Sequence, residues 1–184
     1  MKLIIASSNA HKLVEIREIL GGHFEEIVHE TVEDGQSFLE NARKKAREIT
    51  ELTGCCALAD DSGICVDALD GAPGIFSARF CGRHGDDEAN NRLLLEKLAG
   101  ETHRGAHYTC AIVLTRPDGT CVEAEGRFYG EVTRVPAGEN GFGYDPLFYL
   151  PQYGCTAAQL TPAEKNAVSH RAIALRGILA QLEK

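Results

Sequence analysis

The sequence predicts an α/β protein built around a mixed β-sheet flanked by helices, and three observations carry that prediction. The periodic segments run βαβα, then a strand-rich middle, then helices, which breaks the strict alternation of a doubly wound fold. The stretch Cys56–Val66 holds two apolar runs, CALA and ICV, each too short for a helix. Finally, 184 residues that are 43% hydrophobic and 25% charged are enough to bury a core, and no repeat, low-complexity tract or linker divides them. Residues 1–184 are therefore read as a single domain.

In chain order, residues 2–6 (KLIIA) read as the first strand. Ser7-Ser8-Asn9 turns the chain, and Asn9 suits a helix N-cap. Leu13, Ile16 and Leu20 then recur at helical spacing until Gly21-Gly22. Residues 24–29 form a second strand, and residues 30–36 an acidic loop holding Glu30, Glu33 and Asp34. An S-x-x-E capping box at residues 37–40 opens a long helix to about Thr53, with Phe38, Ala42 and Ile49 inward. Asp60-Asp61-Ser62-Gly63 reads as a turn between two strands, because Asp, Ser and Gly favour turns. Residues 86–98 make a third helix closed by Gly100. Residues 107–115 form a continuous apolar strand, RPDG turns the chain, and residues 121–125 alternate as a hairpin partner. Residues 135–145 are glycine-rich and irregular, and residues 147–150 form a short strand. Thr161-Pro162-Ala163-Glu164 is a second capping box with proline at its favoured first helical position. Residues 169–183 form the last helix, with Leu175, Ile178, Leu179 and Leu182 on one face.

Composition excludes several classes. No apolar run approaches the length of a membrane span, and MKLIIASSN is too short and too weakly basic for a signal-peptide core. The expected location is the cytoplasm. A formal net charge of −8 makes the chain a poor general binder of nucleic-acid phosphates, yet leaves room for a small phosphorylated ligand in a local basic pocket. The seven cysteines are odd in number and lack a CxxC pair, which argues against both a disulfide framework and a zinc site.

Four constellations carry chemistry. Strand ends in α/β proteins collect ligands, and Asp60, Asp61 and Ser62 stand where a strand is expected to end. Alternation along a strand sends Asp60 and Asp61 to opposite faces unless the turn begins between them. In Ser7-Ser8-Asn9-Ala10-His11-Lys12, a strand, a small polar turn and a helix start form an anion site. Lys12 opposes the helix dipole there, which a bound phosphate would justify. The same crowding of basic residues recurs at the last helix, where Ser169 is the expected N-cap, His170 and Arg171 fall in the first turn and Lys165 lies just upstream. Glu33 with Asp60 and Asp61 supplies the few carboxylates that Mg²⁺ uses beside phosphate oxygens and water. In Asn140-Gly141-Phe142-Gly143-Tyr144-Asp145, glycines flank an aromatic ring suited to stacking on a nucleobase. The plainer alternatives are an ordinary cap, a solvated acidic loop and a core phenylalanine.

Six segments in order, SSNAHK, FLENA, ALADDSGICVDAL, GAPGIFSARF, GFGYDPLF and LTPAEKNAVSHRAIAL, resemble the inosine/xanthosine triphosphate pyrophosphatases over nearly the whole chain. The resemblance implies an elongated two-lobed fold around a long mixed sheet, a homodimer, and Mg²⁺ dependence. It implies hydrolysis of non-standard purine nucleoside triphosphates (dITP, ITP, XTP) to monophosphate and pyrophosphate, which keeps them out of DNA and RNA. It places Ser7, Ser8, Asn9, Ala10, His11, Lys12 and Lys45 on the phosphates. Asp61 becomes base or metal ligand with Glu33 assisting, and Ser62 touches substrate. Phe142, Gly143, Tyr144, Asp145, Lys165, His170 and Arg171 hold the base, with Arg171 expected to donate to a 6-oxo group. The chain departs from the family where Ser7-Ser8 replaces Thr-Gly and where Asn140 stands at a common glycine. A non-catalytic nucleotide sensor and a pyrophosphatase acting on pyrimidine nucleotides are the alternative readings.

Overall fold

The computed structural model describes residues 2–22 and 24–183. Seven strands form one sheet in the order β2-β1-β3-β4-β5-β6-β7. They are β1 (Leu3–Ala6), β2 (Glu25–Ile27), β3 (Cys56–Val66), β4 (Gly105–Thr115), β5 (Cys121–Val132), β6 (Phe148–Leu150) and β7 (Cys155–Thr156). The helices are α1 (Ala10–Leu20), α2 (Phe38–Thr53), α3 (Asp87–Lys97), α4 (Pro162–Val168) and α5 (His170–Leu182). β1 pairs in parallel with β2 and β3, whereas β6 pairs antiparallel with β5 and β7, so the sheet is mixed as expected. No helix among the described residues is long and apolar enough to cross a membrane, and all seven cysteines are free thiols.

Local chemistry sets the helix boundaries. Asn9 accepts from the N–H groups of His11 and Lys12, Ser37 from Glu40, Asp86 from Ala89, and Ser169 from Ala172. Each satisfies donors that the first helical turn leaves unpaired. In the 161–164 box, Thr161 N donates to Glu164 Oε2 at 2.8 Å and Glu164 N returns to Thr161 Oγ1 at 3.3 Å. The box at 37–40 closes differently: Glu40 Oε2 accepts from Gln36 N at 2.7 Å. Gly21 ends α1 at φ 51, a left-handed turn that costs glycine nothing.

The chain divides into two compact units. The first comprises Met1–Asp61, Cys110–Arg127 and Val168–Lys184. Its core joins Ile5, Leu58, Cys110, Ile112 and Leu114 of the strands to Leu13 and Ile16 of α1 and to Leu175 and Ile178 of α5. α5 lies close over β5 because Gly126 has no Cβ, which would otherwise collide with the His170 carbonyl. The second unit comprises Ser62–Thr109 and Phe128–Ala167, and Phe148 is fully buried within it. The Phe148 ring meets Tyr108 edge-on at 4.7 Å and Phe128 at 5.8 Å.

Two expectations require correction. DDSG is no turn: β3 runs unbroken through it. The pleat continues because each carboxylate finds cations or amide donors, and because Gly63 lets Ser77 and Gly74 pack where a Cβ would sit. β5 also extends to Val132, beyond the alternating residues 121–125, since register with β6 (Val132 opposite Phe148) sustains the pairing.

Candidate active site

In the first unit, β3 carries Asp60 and Asp61 as adjacent residues, and alternation sends them to separate partners. Asp60 meets Lys12 of α1 at 3.4 Å and Arg171 of α5 at 3.1 Å, with its own side chain wholly buried. Arg171 also donates to Glu15, one turn beyond Lys12. Burial alone would raise the Asp60 carboxyl, but Lys12, Arg171 and Lys45 outweigh it and hold it well below the usual carboxylate range. Burial would likewise discharge Arg171, yet Asp60 and Glu15 push it further toward the charged form.

Asp61 has another setting. Its Oδ2 accepts from Asn41 Nδ2 at 3.0 Å, and its Oδ1 lies 3.5 Å from Lys45 Nζ. Lys45 sits 2.5 Å from Glu33 and donates to the Asp60 carbonyl at 3.1 Å. Burial raises the Asp61 carboxyl above its ordinary value despite Lys45 and Lys12, and Glu33 adds to the rise. For Lys45, burial is overcome by Asp61, Glu33 and Asp60, which hold the ammonium protonated. One strand therefore presents a carboxylate locked as an ion beside one whose proton affinity is raised, an arrangement suited to proton transfer.

The N-terminus of α1 is less open than the sequence suggests. Asn9 Oδ1 accepts from His11 N at 3.0 Å and from Lys12 N at 3.2 Å, so the cap takes two N–H groups expected to face an anion. Ser7 Oγ accepts from Asn9 N at 3.1 Å and fixes the turn. Ser8 and His11 are exposed, as is Ala10, while the Lys12 side chain is 14% exposed. Arg171 lies deeper than the sequence suggests. Its Nε and both Nη atoms donate to Asp60 and Glu15, and it is completely buried. A buried guanidinium needs carboxylates around it, and here at least three of its five N–H donors go to Asp60 and Glu15. His170, beside it, is also buried.

In the second unit the structure gathers Phe142, Gly143, Tyr144, Asp145 and Lys165. Asp145 Oδ2 accepts from Phe142 N at 2.9 Å and from Lys165 Nζ at 2.5 Å. The Lys165 ammonium also stands 4.8 Å from the centre of the Phe142 ring, within cation–π reach. Gly141 adopts φ 74, and a Cβ there would collide with the Asp145 carboxylate. Tyr144 donates its hydroxyl to the Ser77 carbonyl at 2.8 Å. Ser62 is half-buried on β3, next in sequence to Asp61.

Sequence reasoning missed Glu15, Asn41, Asp87 and Asn91. Glu15 was legible as a carboxylate three residues after Lys12 on a helix, and Asn41 as the polar residue within FLENA. Nothing local marked Asp87 or Asn91, which reach Gly143 across more than fifty residues of chain.

These features define a class: an α/β protein of mixed sheet with a buried lysine–carboxylate centre and a braced glycine–aromatic loop. Residues 3–181 match the model of the Ham1 family, and the chain belongs to that family. It is 50% identical to a dITP/XTP pyrophosphatase of Chromobacterium violaceum, covering 99% of this chain and 97% of that protein. It is 47% identical to the Streptomyces coelicolor protein of the same name, over 97% of this chain and 95% of the other. Among solved structures, the Staphylococcus aureus Ham1 protein superposes with a TM-score of 0.90 at 39% identity, covering 100% of this chain and 98% of that one. A HAM1 protein from Coxiella burnetii gives 0.89 at 40%, covering 100% and 99%.

Proposed function

We propose that the protein hydrolyses dITP, ITP and XTP to the nucleoside monophosphate and pyrophosphate, and so keeps non-standard purines out of DNA and RNA. The observation that carries the reading is the buried centre on β3, where Lys12 and Arg171 meet Asp60 while Lys45 meets both Glu33 and Asp61. The dITP/XTP pyrophosphatases that it resembles at 45–50% identity support the choice of substrate.

The reaction is an in-line displacement at the α-phosphorus. Water forms the new P–O bond, the bond to the bridging oxygen breaks, and pyrophosphate leaves with its electron pair. Asp61 takes the proton of the attacking water, a role that its raised proton affinity favours. Asn41 holds the Asp61 carboxylate in one orientation. Lys12 and Lys45, with the Ser7-to-His11 turn, neutralise and position the phosphates. Arg171 and Glu15 act through Asp60, keeping Lys12 in place. Phe142 stacks on the base, and Gly143 to Asp145 with Lys165 provide polar contacts at its edge. Ser62 touches substrate beside the base carboxylate.

Glu33 and Asp61 fit Mg²⁺. Both are hard oxygen donors, and they already converge on one cation, the Lys45 ammonium. Mg²⁺ commonly completes such a pair of carboxylates with phosphate oxygens and water. When bound, Mg²⁺ supplies charge neutralisation on the triphosphate. A homodimer is the proposed assembly, and light scattering at the mass of one chain would refute it.

The decisive experiment measures pyrophosphate and inorganic phosphate separately for ITP, dITP, XTP, ATP and GTP. Pyrophosphate released from the first three, abolished by chelator and restored by excess Mg²⁺, is the expected result. Inorganic phosphate as the product, or binding without turnover, would overturn the reading.

A further inference from the structure

We propose that Asp87 and Asn91 of α3 are positioning residues for base recognition. They hold the N–H and the carbonyl of Gly143, and with them the peptide groups on either side of its Cα, and so set how the Phe142 ring is presented. This rests on the reading that the Phe142 loop takes the purine.

The geometry is specific. Asp87 Oδ2 accepts from Gly143 N at 2.8 Å, and Asn91 Nδ2 donates to the Gly143 carbonyl at 2.9 Å. The two side chains stand four residues apart, one helical turn, and thus share one face of α3. Gly143 has φ 62, a left-handed conformation, so its peptide would otherwise be free to sample several orientations. Phe142 N is held by Asp145 and the Tyr144 hydroxyl by the Ser77 carbonyl. The preceding residue of α3, Asn90, anchors the 77–81 segment that receives the Tyr144 hydroxyl: its Oδ1 accepts from Cys81 N at 2.8 Å and its Nδ2 reaches the Ala78 carbonyl at 3.4 Å. The first turns of α3 therefore hold both the 77–81 segment and the aromatic loop.

One detail separates this clamp from ordinary packing. Asn91 Oδ1 is buried and has no hydrogen-bond partner among the described residues. A buried acceptor without a donor is destabilising, so an apolar side chain of similar size would suit the fold better. What the asparagine adds is the single bond to Gly143. An arrangement kept against local stability is expected where geometry serves a ligand. A braced loop presents the ring without ordering cost at binding, which raises affinity for the base and leaves the phosphate contacts alone.

The test uses the full-length protein with two probes: inosine monophosphate, which carries the base, and inorganic pyrophosphate, which does not. Asn91→Leu and Asp87→Ala are each expected to weaken inosine monophosphate binding and raise KM for ITP about tenfold, with kcat changed less than about twofold. Inhibition by pyrophosphate should stay constant. Asp87→Asn keeps an acceptor for Gly143 N and should restore most of the affinity. The melting temperature of Asn91→Leu should not fall, whereas a purely structural asparagine would lower it. Unchanged KM in both variants, or equal losses for both probes with a lowered melting temperature, would overturn the clamp alone. Absence of inosine monophosphate binding in the unaltered protein would overturn the base-site reading and the clamp with it.

Discussion

The lysine–carboxylate centre of the first unit and the aromatic loop of the second are ordered by different physics. The centre is a set of charges on regular elements, β3, α1, α2 and α5, and its geometry follows from burial: each charge must find its opposite. Phe142, Gly143 and Tyr144 lie outside helix and strand, and hydrogen bonds to the backbone of Phe142 and Gly143 hold them, beside the Asp145–Lys165 ion pair. Damage to the centre should therefore appear in stability and chemical rate. Damage to the loop should appear in affinity for the base.

Substitutions can break that contrast in graded steps. Asp60→Asn removes the charge between Lys12 and Arg171, while the fully buried guanidinium still meets Glu15. Urea denaturation should show a loss of roughly 3–5 kcal/mol, and a loss below about 1 kcal/mol would show that the network is not what stabilises this unit. Next comes Asp61→Asn, which should lower kcat by about 10²-fold while the fold persists, as removal of a general base does. Near-normal kcat in a folded variant would end the assignment. Phe142→Leu keeps an apolar side chain but loses the stacking surface, worth about 1–3 kcal/mol per base. KM for ITP should rise about tenfold or more at nearly constant kcat, and a kcat effect instead would merge the two regions.

The smallest effect concerns the partly exposed pair of Arg43 with Glu123, 2.6 Å apart. The hydrogen bond from Arg43 lowers the Glu123 carboxyl below its ordinary value of 4.5. Because the folded value is depressed, its stabilisation is present above that ordinary value and is lost as pH falls through the lower one. Glu123→Gln should cost less than about 1 kcal/mol at neutral pH. The difference from the unaltered protein should close in acid, and a difference that persists there would deny the pair its ionic character.

The motifs named residues that the fold gathers, but not the long-range partners each one meets. Lys45 meets Glu33 and Asp61, and Lys12 meets Asp60. Asp60 and Arg171 do not behave as isolated motif members. Their partnership spans 111 positions, and no local pattern announces that a guanidinium expected at a base will be enclosed by two carboxylates. The DDSG segment misleads for the same reason. Turn propensity is a local preference, and partners supplied from α1, α2 and α5 outweigh it.

By itself the sequence determined the features that depend on neighbours within a turn or two. These are the caps at Asn9, Ser37 and Ser169, the left-handed stop at Gly21, and the apolar faces of α1 and α5. It also determined the family, because six ordered segments preserve residue identity along nearly the whole chain. Only the tertiary structure decided that Asp60 is locked as an ion while Asp61 is raised, and that α3 holds the peptide of Gly143. Proton affinity and loop orientation depend on which charges and donors lie within a few ångströms, and that proximity is created when distant segments pack.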